Sequence, residues 1–284
     1  MRTRMPDSAV EDSFEFTMAI APELKPMSFV AGREEQLRRS VLDRVRQSAD
    51  VHRHFTTIRR EDATWAETSP GVRHFTLNAK GGLRIDLLEV APSAAVPWQF
   101  DAQAQEVLVV GGTLALGARL APTIQLSPLN HVVLEQSGGW GMTAGRTGAS
   151  LYMRSRVVDL ARLPEGEAQW WRAAQGASLS AAGIDCPWSS YLEGVDAAVL
   201  HAQGDVASML VRIAPGAAVP DHGHDLDEDC FMLEGEMFLG DILMRGGDYQ
   251  LAPQGCRHVG IASDFGGLFY FHGAIPPSAS EQAP

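Results

Sequence analysis

Sliding this sequence against itself by 123 residues brings two long stretches into register without a gap. Asp62, Trp65, Gly71 and Val72 fall on Asp185, Trp188, Gly194 and Val195, and Leu77, Gly81 and Leu87 fall on Leu200, Gly204 and Leu210. APSAAVP, ending at Pro97, lies over APGAAVP, ending at Pro220. Gly112, Leu116 and Gly117 then match Gly235, Leu239 and Gly240. Further on, the offset becomes 118, because the first copy carries extra residues around Ala121 to Pro128. A period of this length means two copies of one folding unit, and a fold is acceptable only if it can be built twice.

Each copy reads as strands. LRIDLLEVAP and VASMLVRIAP are runs of apolar and branched residues closed by proline and a small turn residue. DCFMLEGEMFL sets Gly235 between two such runs, which is a hairpin signal. Many short strands punctuated by glycine predict an antiparallel sandwich or barrel. Helix is predicted in REEQLRRSVLDRVRQSADVHRHF, where Leu37, Val41, Leu42 and Val45 form an apolar stripe, and more weakly in EAQWWRAAQ between the copies. The expected division is a flexible N-terminus over 1–33 and a helical lead-in over 34–60. A first barrel follows over 61–160, a linker with a short helix over 161–183, and a second barrel over 184–278.

A formal charge of −12 on 284 residues argues against a nucleic-acid backbone as partner. No apolar run approaches the length needed to span a bilayer, and the N-terminal apolar stretch is too interrupted for a secretory signal. Cys186, Cys230 and Cys256 make neither a Cys-x-x-Cys pair nor an even disulfide set, so the chain reads as a reduced, cytoplasmic protein.

Chemistry concentrates in PDHGHDLDEDCFMLEGE. Residues two apart on a strand share a face, so His222 and His224 address one cavity. Glu228 can return to the same point, and His258, after the corner at Pro253 and Gly255, offers another imidazole. Imidazole and carboxylate together suit a divalent metal ion. Asp221, Asp225, Asp227 and Asp229 read as a solvated acidic rim. His52 and His54 repeat the His-x-His spelling, but at a helix end without flanking glycines, and read as a solvated terminus. His74, His131, His201 and His272 have no partner at useful spacing and read as structural or exposed.

The spacing Gly216, His222, His224, Glu228, Gly235 resembles the first cupin motif, and Gly247, Pro253, Gly255, His258 resembles the second; Ala262 stands where that motif usually has asparagine. The resemblance implies an all-β chain of two tandem cupin barrels (double-stranded β-helix, or jelly-roll) behind a short N-terminal helix. It also implies one divalent metal per chain on His222, His224, Glu228 and His258, zinc first, with iron, manganese, nickel or copper as alternatives. The offsets place Gln99, Asp101, Gln105 and Trp140 at the corresponding positions of the first copy. That set is too poor in ligands for a first-row metal.

AVPDHGH, the LEG hairpin, GDY and APQGCRH are similar to the ChrR-type branch, whose members are anti-sigma factors with a sensory cupin half. This implies a stress-sensing or regulatory protein with a sigma factor as partner. The His and Cys-x-x-Cys of the family's zinc-binding sigma-factor module have no counterpart here. The competing expectation is a cupin dioxygenase acting on a diketone, enol or phenolic ketone, with a small molecule as its ligand. Cys230 and Cys256 lie two residues from Glu228 and His258, and are candidate redox residues beside the metal. Pairing of two chains into a homodimer would suit one barrel that keeps its metal beside one that lacks it.

Overall fold

The computed structural model describes residues 32–98, 102–118, 121–135, 139–174, 178–181 and 186–275. The flexible segment expected over 1–33 lies almost wholly outside these residues. The chain divides into one unit up to Asp50 and another from Val51 onward. In the first, helix α1 (Arg33–Val51) opens with Glu34 and Glu35 in its first turn, where carboxylates favour the positive end of the helix dipole. Among the described residues, no helix is long and apolar enough to cross a membrane.

The second unit is built on two antiparallel sheets. Its chain begins with β1 (Thr56–Ile58), β2 (Ala66–Ser69), β3 (Val72–Asn78), β4 (Leu83–Val90) and β5 (Ala95–Val96). It continues through β6 (Ala104–Ala118), β7 (Ala121–Leu126), β8 (Asn130–Glu135) and β9 (Trp140–Arg156). Helix α2 (Glu165–Ala173) and β10 (Ser178–Ala181) connect the copies. The second copy holds β11 (Ser189–Leu192), β12 (Val195–Gln203), β13 (Val206–Ile213), β14 (Ala218–Val219) and β15 (His222–Gly223). Its remainder is β16 (Glu228–Leu239), β17 (Ile242–Arg245), β18 (Tyr249–Ala252), β19 (Arg257–His258), β20 (Ile261–Ala262) and β21 (Gly267–Ala274).

One sheet runs β10-β8-β6-β9-β4-β3-β2 and the other β1-β18-β16-β21-β13-β12-β11. The orders are equivalent position by position under the two sequence offsets. The outermost strands are exchanged. β1, which precedes the first copy, pairs with β18 of the second, while β10, which precedes the second copy, pairs with β8 of the first. The repeat also reproduces backbone detail. Gly112 and Gly235 both have positive φ, and a Cβ on either would stand 2.2 Å from a carbonyl oxygen, of Gly148 and Gly266 respectively. Only glycine fits both hairpins.

The two closed barrels expected from the sequence are not formed. Among the described residues neither strand order returns to its own start, and the sheets are open. The strands that would have to close the second sheet are too short to do so. The β14–β20 ladder is two residues long, and β15 and β19 pair only with each other, again over two residues. Strand periodicity specifies which side chains share a face, but not whether two distant edges meet.

The central strands of each sheet are buried on both faces. Leu77, Ile85, Leu108 and Tyr152 of the first copy meet Leu200, Leu210, Phe231 and Tyr270 of the second in one apolar layer. The rings of Tyr152 and Tyr270 lie 4.8 Å apart there, and those of Tyr152 and Phe231 5.1 Å. The outer layers are Val107, Leu114, Leu116 and Met142 in the first copy, and Met209, Val211, Met237 and Phe271 in the second. Helix α2 packs Ala168, Trp170 and Trp171 against Ala104, Val133 and Val206, covering the end of both sheets.

Within the middle layer sits a buried ionic network. Arg154 donates to Glu106 (2.7 Å) and to Glu167 of α2 (3.0 Å), and its Nε lies 3.5 Å from Asp229. Glu106 also accepts from Ser208 and Tyr270, each at 2.6 Å, and lies 2.8 Å from Nε2 of His131. Glu167 accepts from Trp171 (2.8 Å) and lies 2.9 Å from Nε2 of His272. Tyr249 donates to Asp229. Burial alone would raise the carboxyls of Glu106 and Glu167, but Arg154 overcomes it, holding Glu106 well below the usual range and Glu167 at about 2.

Replacing Arg154 with Met leaves these carboxylates buried without their cation, and urea unfolding should show a loss of about 3–5 kcal/mol. A loss below about 1 kcal/mol, the scale of a surface pair, would mean the network does not join the sheets. Glu167 has a folded pKa depressed from 4.5 to about 2, so its contribution is complete above about pH 4.5 and is lost as pH falls toward 2. Acid unfolding followed by tryptophan fluorescence should develop in that window and be shallower in Glu167→Gln; an unchanged profile would exclude this linkage.

Candidate metal centre

The site forms where two loops of the second copy are laced together. The β15–β19 ladder sets His222 opposite His258 and Gly223 opposite Arg257. Asp221 accepts from the amide of Gly260 (2.9 Å), Asp227 accepts from that of Gln254 (2.8 Å), and Gly255 donates to the carbonyl of His224 (3.0 Å). Two acids read as a rim therefore fasten the second motif to the first. Asp229, read in the same way, is buried in the inter-sheet network.

His224, Glu228 and His258 are all buried, and each offers a ligand atom within 4.8 Å of the others. Glu228 Oε2 lies 3.4 Å from His258 Nε2 and 4.0 Å from His224 Nε2. Donors at roughly 2 Å from a common ion stand about 3–4 Å apart, so a small inward adjustment would complete coordination. His222 is outside that cluster; its ring centre lies 5.4 Å from that of His258, and that of His224 lies 5.2 Å from it. Of the four expected ligands, three converge and the fourth stands beside them.

Ring tautomers follow from the backbone. Nδ1 of His224 faces the carbonyl of Leu226 (2.8 Å), and Nδ1 of His222 faces that of Pro220 (2.9 Å). A carbonyl only accepts, so each Nδ1 carries the proton and each Nε2 presents a lone pair. Nε2 of His224 is buried and has no hydrogen-bond partner. An orphaned lone pair between a carboxylate and a second imidazole is what a metal ion would satisfy, so these residues fit the ion that the motif implies. Burial lowers His258 to about 4, with His52 adding to the effect, so its ring stays neutral as a ligand must. Burial also pushes Glu228 up to about 7 against the pull of His224 and His222. His52, read as a solvated helix terminus, packs its ring at a tilt 5.4 Å from that of Phe55, which in turn lies 5.2 Å from His258.

Beside the cluster is a cavity of about 230 Å³, lined by His222, Glu228 and His258 at one end and by Met209, Val211, Met237, Phe269 and Phe271 along its wall. Cys230 also lines it, whereas Cys256 lies on the loop before β19. Both thiols are free, and burial followed by nearby carboxylates pushes both pKa values up, strongly for Cys230. They are held as thiols, which makes them poor nucleophiles at neutral pH. Gln250, which the motif reading passed over, lines the cavity too, and its Oε1 is buried without a partner. Its sequence signal was a lone amide in the apolar run YQLA.

The first copy has filled the equivalent place. Gln99 and Asp101 lie outside the described residues. Gln105 stands where Glu228 stands, and its amide donates to Ser155 (3.2 Å). The counterpart of Ser155 is Gly273, and a Cβ there would come within 2.7 Å of the Glu228 side chain. Trp140, at the position of His258, packs with Trp98 on the apolar core of its own copy.

No curated protein matches the chain. Residues 179–276 match the family described as the ChrR cupin-like domain. Among solved structures, the Escherichia coli protein YlbA is similar at 12% identity and a TM-score of 0.58, covering 79% of this chain and 92% of that one. AerE from Microcystis aeruginosa is similar at 14% and 0.56, covering 75% and 97%. A formate complex of Lactobacillus farciminis oxalate decarboxylase is similar at 13% and 0.57, covering 78% and 86%. At these identities the likeness speaks for the fold. With the motif spacing and the converging His and Glu side chains, residues 179–276 match a ChrR-type cupin domain, and the chain as a whole shares a two-sheet, bicupin-like fold with these structures.

Proposed function

We propose that the second copy is a metal-dependent enzymatic site of the dioxygenase type, acting on a small diketone, enol or phenolic ketone. The observation that carries this reading is the orphaned Nε2 of His224, set beside Glu228 and His258 where the latter two open onto a cavity of about 230 Å³. A metal used only as a staple needs closed coordination and no adjoining space. The fold is compatible with catalysis, since an oxalate decarboxylase shares it, although fold alone does not transfer activity.

A divalent ion bound there would act as Lewis acid on a substrate oxygen and stabilise its enolate. The protein contributes the rest. The carbonyls of Pro220 and Leu226 hold the Nδ1 protons of His222 and His224, which leaves each Nε2 lone pair available to bind. Glu228 brings negative charge, and the apolar wall keeps water from the reacting end. For a diketone the overall change is cleavage of a carbon–carbon bond by dioxygen, with both oxygen atoms retained in a carboxylic acid and a keto aldehyde. Zinc, iron, manganese, nickel and copper all suit this donor set.

A regulatory reading has one observation in its favour, the match of residues 179–276 to the ChrR cupin-like domain. In that reading the same site reports metal or oxidant status to a sigma factor.

Elemental analysis of purified protein should find about one equivalent of divalent metal, and His222→Ala/His224→Ala should lose at least about tenfold in affinity. The loaded protein should consume oxygen with 2,4-pentanedione or 2-hydroxyacetophenone. A double variant that retains its metal would overturn the site. One equivalent of zinc without oxygen uptake, together with capture of a sigma factor, would replace the enzymatic reading with the regulatory one.

A further inference from the structure

The cavity beside the metal centre is selective in ways the metal ligands do not explain. Among the described residues, none that lines it is a lysine or arginine, and Glu228 is the one carboxylate. A dianion would enter without a counter-charge other than the metal, at a large desolvation cost. Part of that wall is apolar in both copies, since Leu88, Leu114, Leu151 and Met153 stand at the positions of Val211, Met237, Phe269 and Phe271, but one side of it is a property of this copy. At the positions of Val199 and Met209 in the wall, and of Ala207 two residues before Met209, the first copy carries Thr76, Asp86 and Arg84, joined by hydrogen bonds of 2.6–2.9 Å.

Against that apolar wall stands one amide. Gln250 Nε2 donates to Thr57 Oγ1 (2.9 Å), which leaves Oε1 buried and unpartnered. Its neighbours in the sheet are Cys230 on β16 and Thr57 on β1, the strand contributed from ahead of the first copy. The first copy has Val132 at this position, so the sheet does not need the amide. An unsatisfied buried carbonyl costs stability, on the order of 1–3 kcal/mol, unless something in the cavity donates to it. Along β18, Gln250 is two residues from Ala252, which pairs with Glu228, so its backbone lies about 7 Å along the strand from the residue beside the metal end. That span matches opposite substituents on a six-membered ring.

We infer that Gln250 is a specificity-determining residue, accepting a hydrogen bond from a hydroxyl or N–H at the far end of a compact, otherwise apolar ligand whose near end carries the chelating oxygen. Thr57 is its positioning residue. The near end rests on the metal-site reading above, whereas the far end does not.

The test compares 2′,4′-dihydroxyacetophenone with 2′-hydroxy-4′-methylacetophenone, which differ only in the distal donor. Binding is measured on the full chain by calorimetry, with metal present and after chelation. The dihydroxy probe should bind about tenfold more tightly, the scale of one good hydrogen bond. Gln250→Leu should bring the ratio close to one, and Thr57→Val should reduce it while circular dichroism stays unchanged. A purely structural role for Thr57 would weaken both probes alike. Equal affinities in the unmodified protein, as expected if an ordered water satisfies Oε1, would overturn the inference. So would a ratio unchanged in Gln250→Leu, or binding of oxalate in preference to both probes. Discrimination that depends on Gln250 but is indifferent to metal would sink the metal-site reading alone; metal-dependent binding without discrimination would sink this inference alone.

Discussion

The arrangement depends on one buried cation. Arg154 lies between two sheets whose shared layer is largely apolar, and it is held by carboxylates from its own sheet, the opposite sheet and helix α2. The network is built from equivalent positions. Under the sequence offsets Glu106 corresponds to Asp229, Arg154 to His272, His131 to Tyr249 and Tyr152 to Tyr270. Apolar packing would tolerate sliding of one sheet over the other, but a buried charge with directional partners does not.

This constraint reaches the metal centre through the two-residue period of the strands. On β16, Asp229 faces the network while its neighbours Glu228 and Cys230 line the cavity. On β18, Tyr249 binds Asp229 and Gln250 lines the cavity. On β21, His272 meets Arg154 while Phe271 forms cavity wall and Gly273 makes room for Glu228. Each strand is pinned on one face and functional on the other, so the ligands inherit their rigidity from a layer they do not touch.

The duplication shows how one scaffold holds a site or fills it. Exchanging Glu228 for Gln105 and Gly273 for Ser155 turns a ligand into a bonded amide, and Trp140 takes the space of His258. The strand order survives these changes, because the ladder needs only backbone groups and a matching apolar pattern. The exchanged edge strands couple the copies further, since β1 supports Gln250 in the second sheet from a position ahead of the first.

Much was legible in the residues themselves. The all-β character and helix α2 follow from short apolar periods, the repeat from one offset along the chain, and the grouping of His224, Glu228 and His258 from the resemblance of two motif spacings. Sheet closure was not legible, because it depends on whether distant edges meet, and the short β14–β20 and β15–β19 ladders leave them apart. Nor was the place of Asp229, His131 and His272, which became network members only when the sheets stacked. The sequence by itself determined which residues carry ligand chemistry, through the spacing of two motifs. The tertiary structure alone decided that His222 stands just outside the tight cluster, that an apolar cavity adjoins it, and that Gln250 lines that cavity with a buried, unpartnered oxygen. Those properties arise between strands far apart in the chain, where burial sets the energy of each unpaired polar atom.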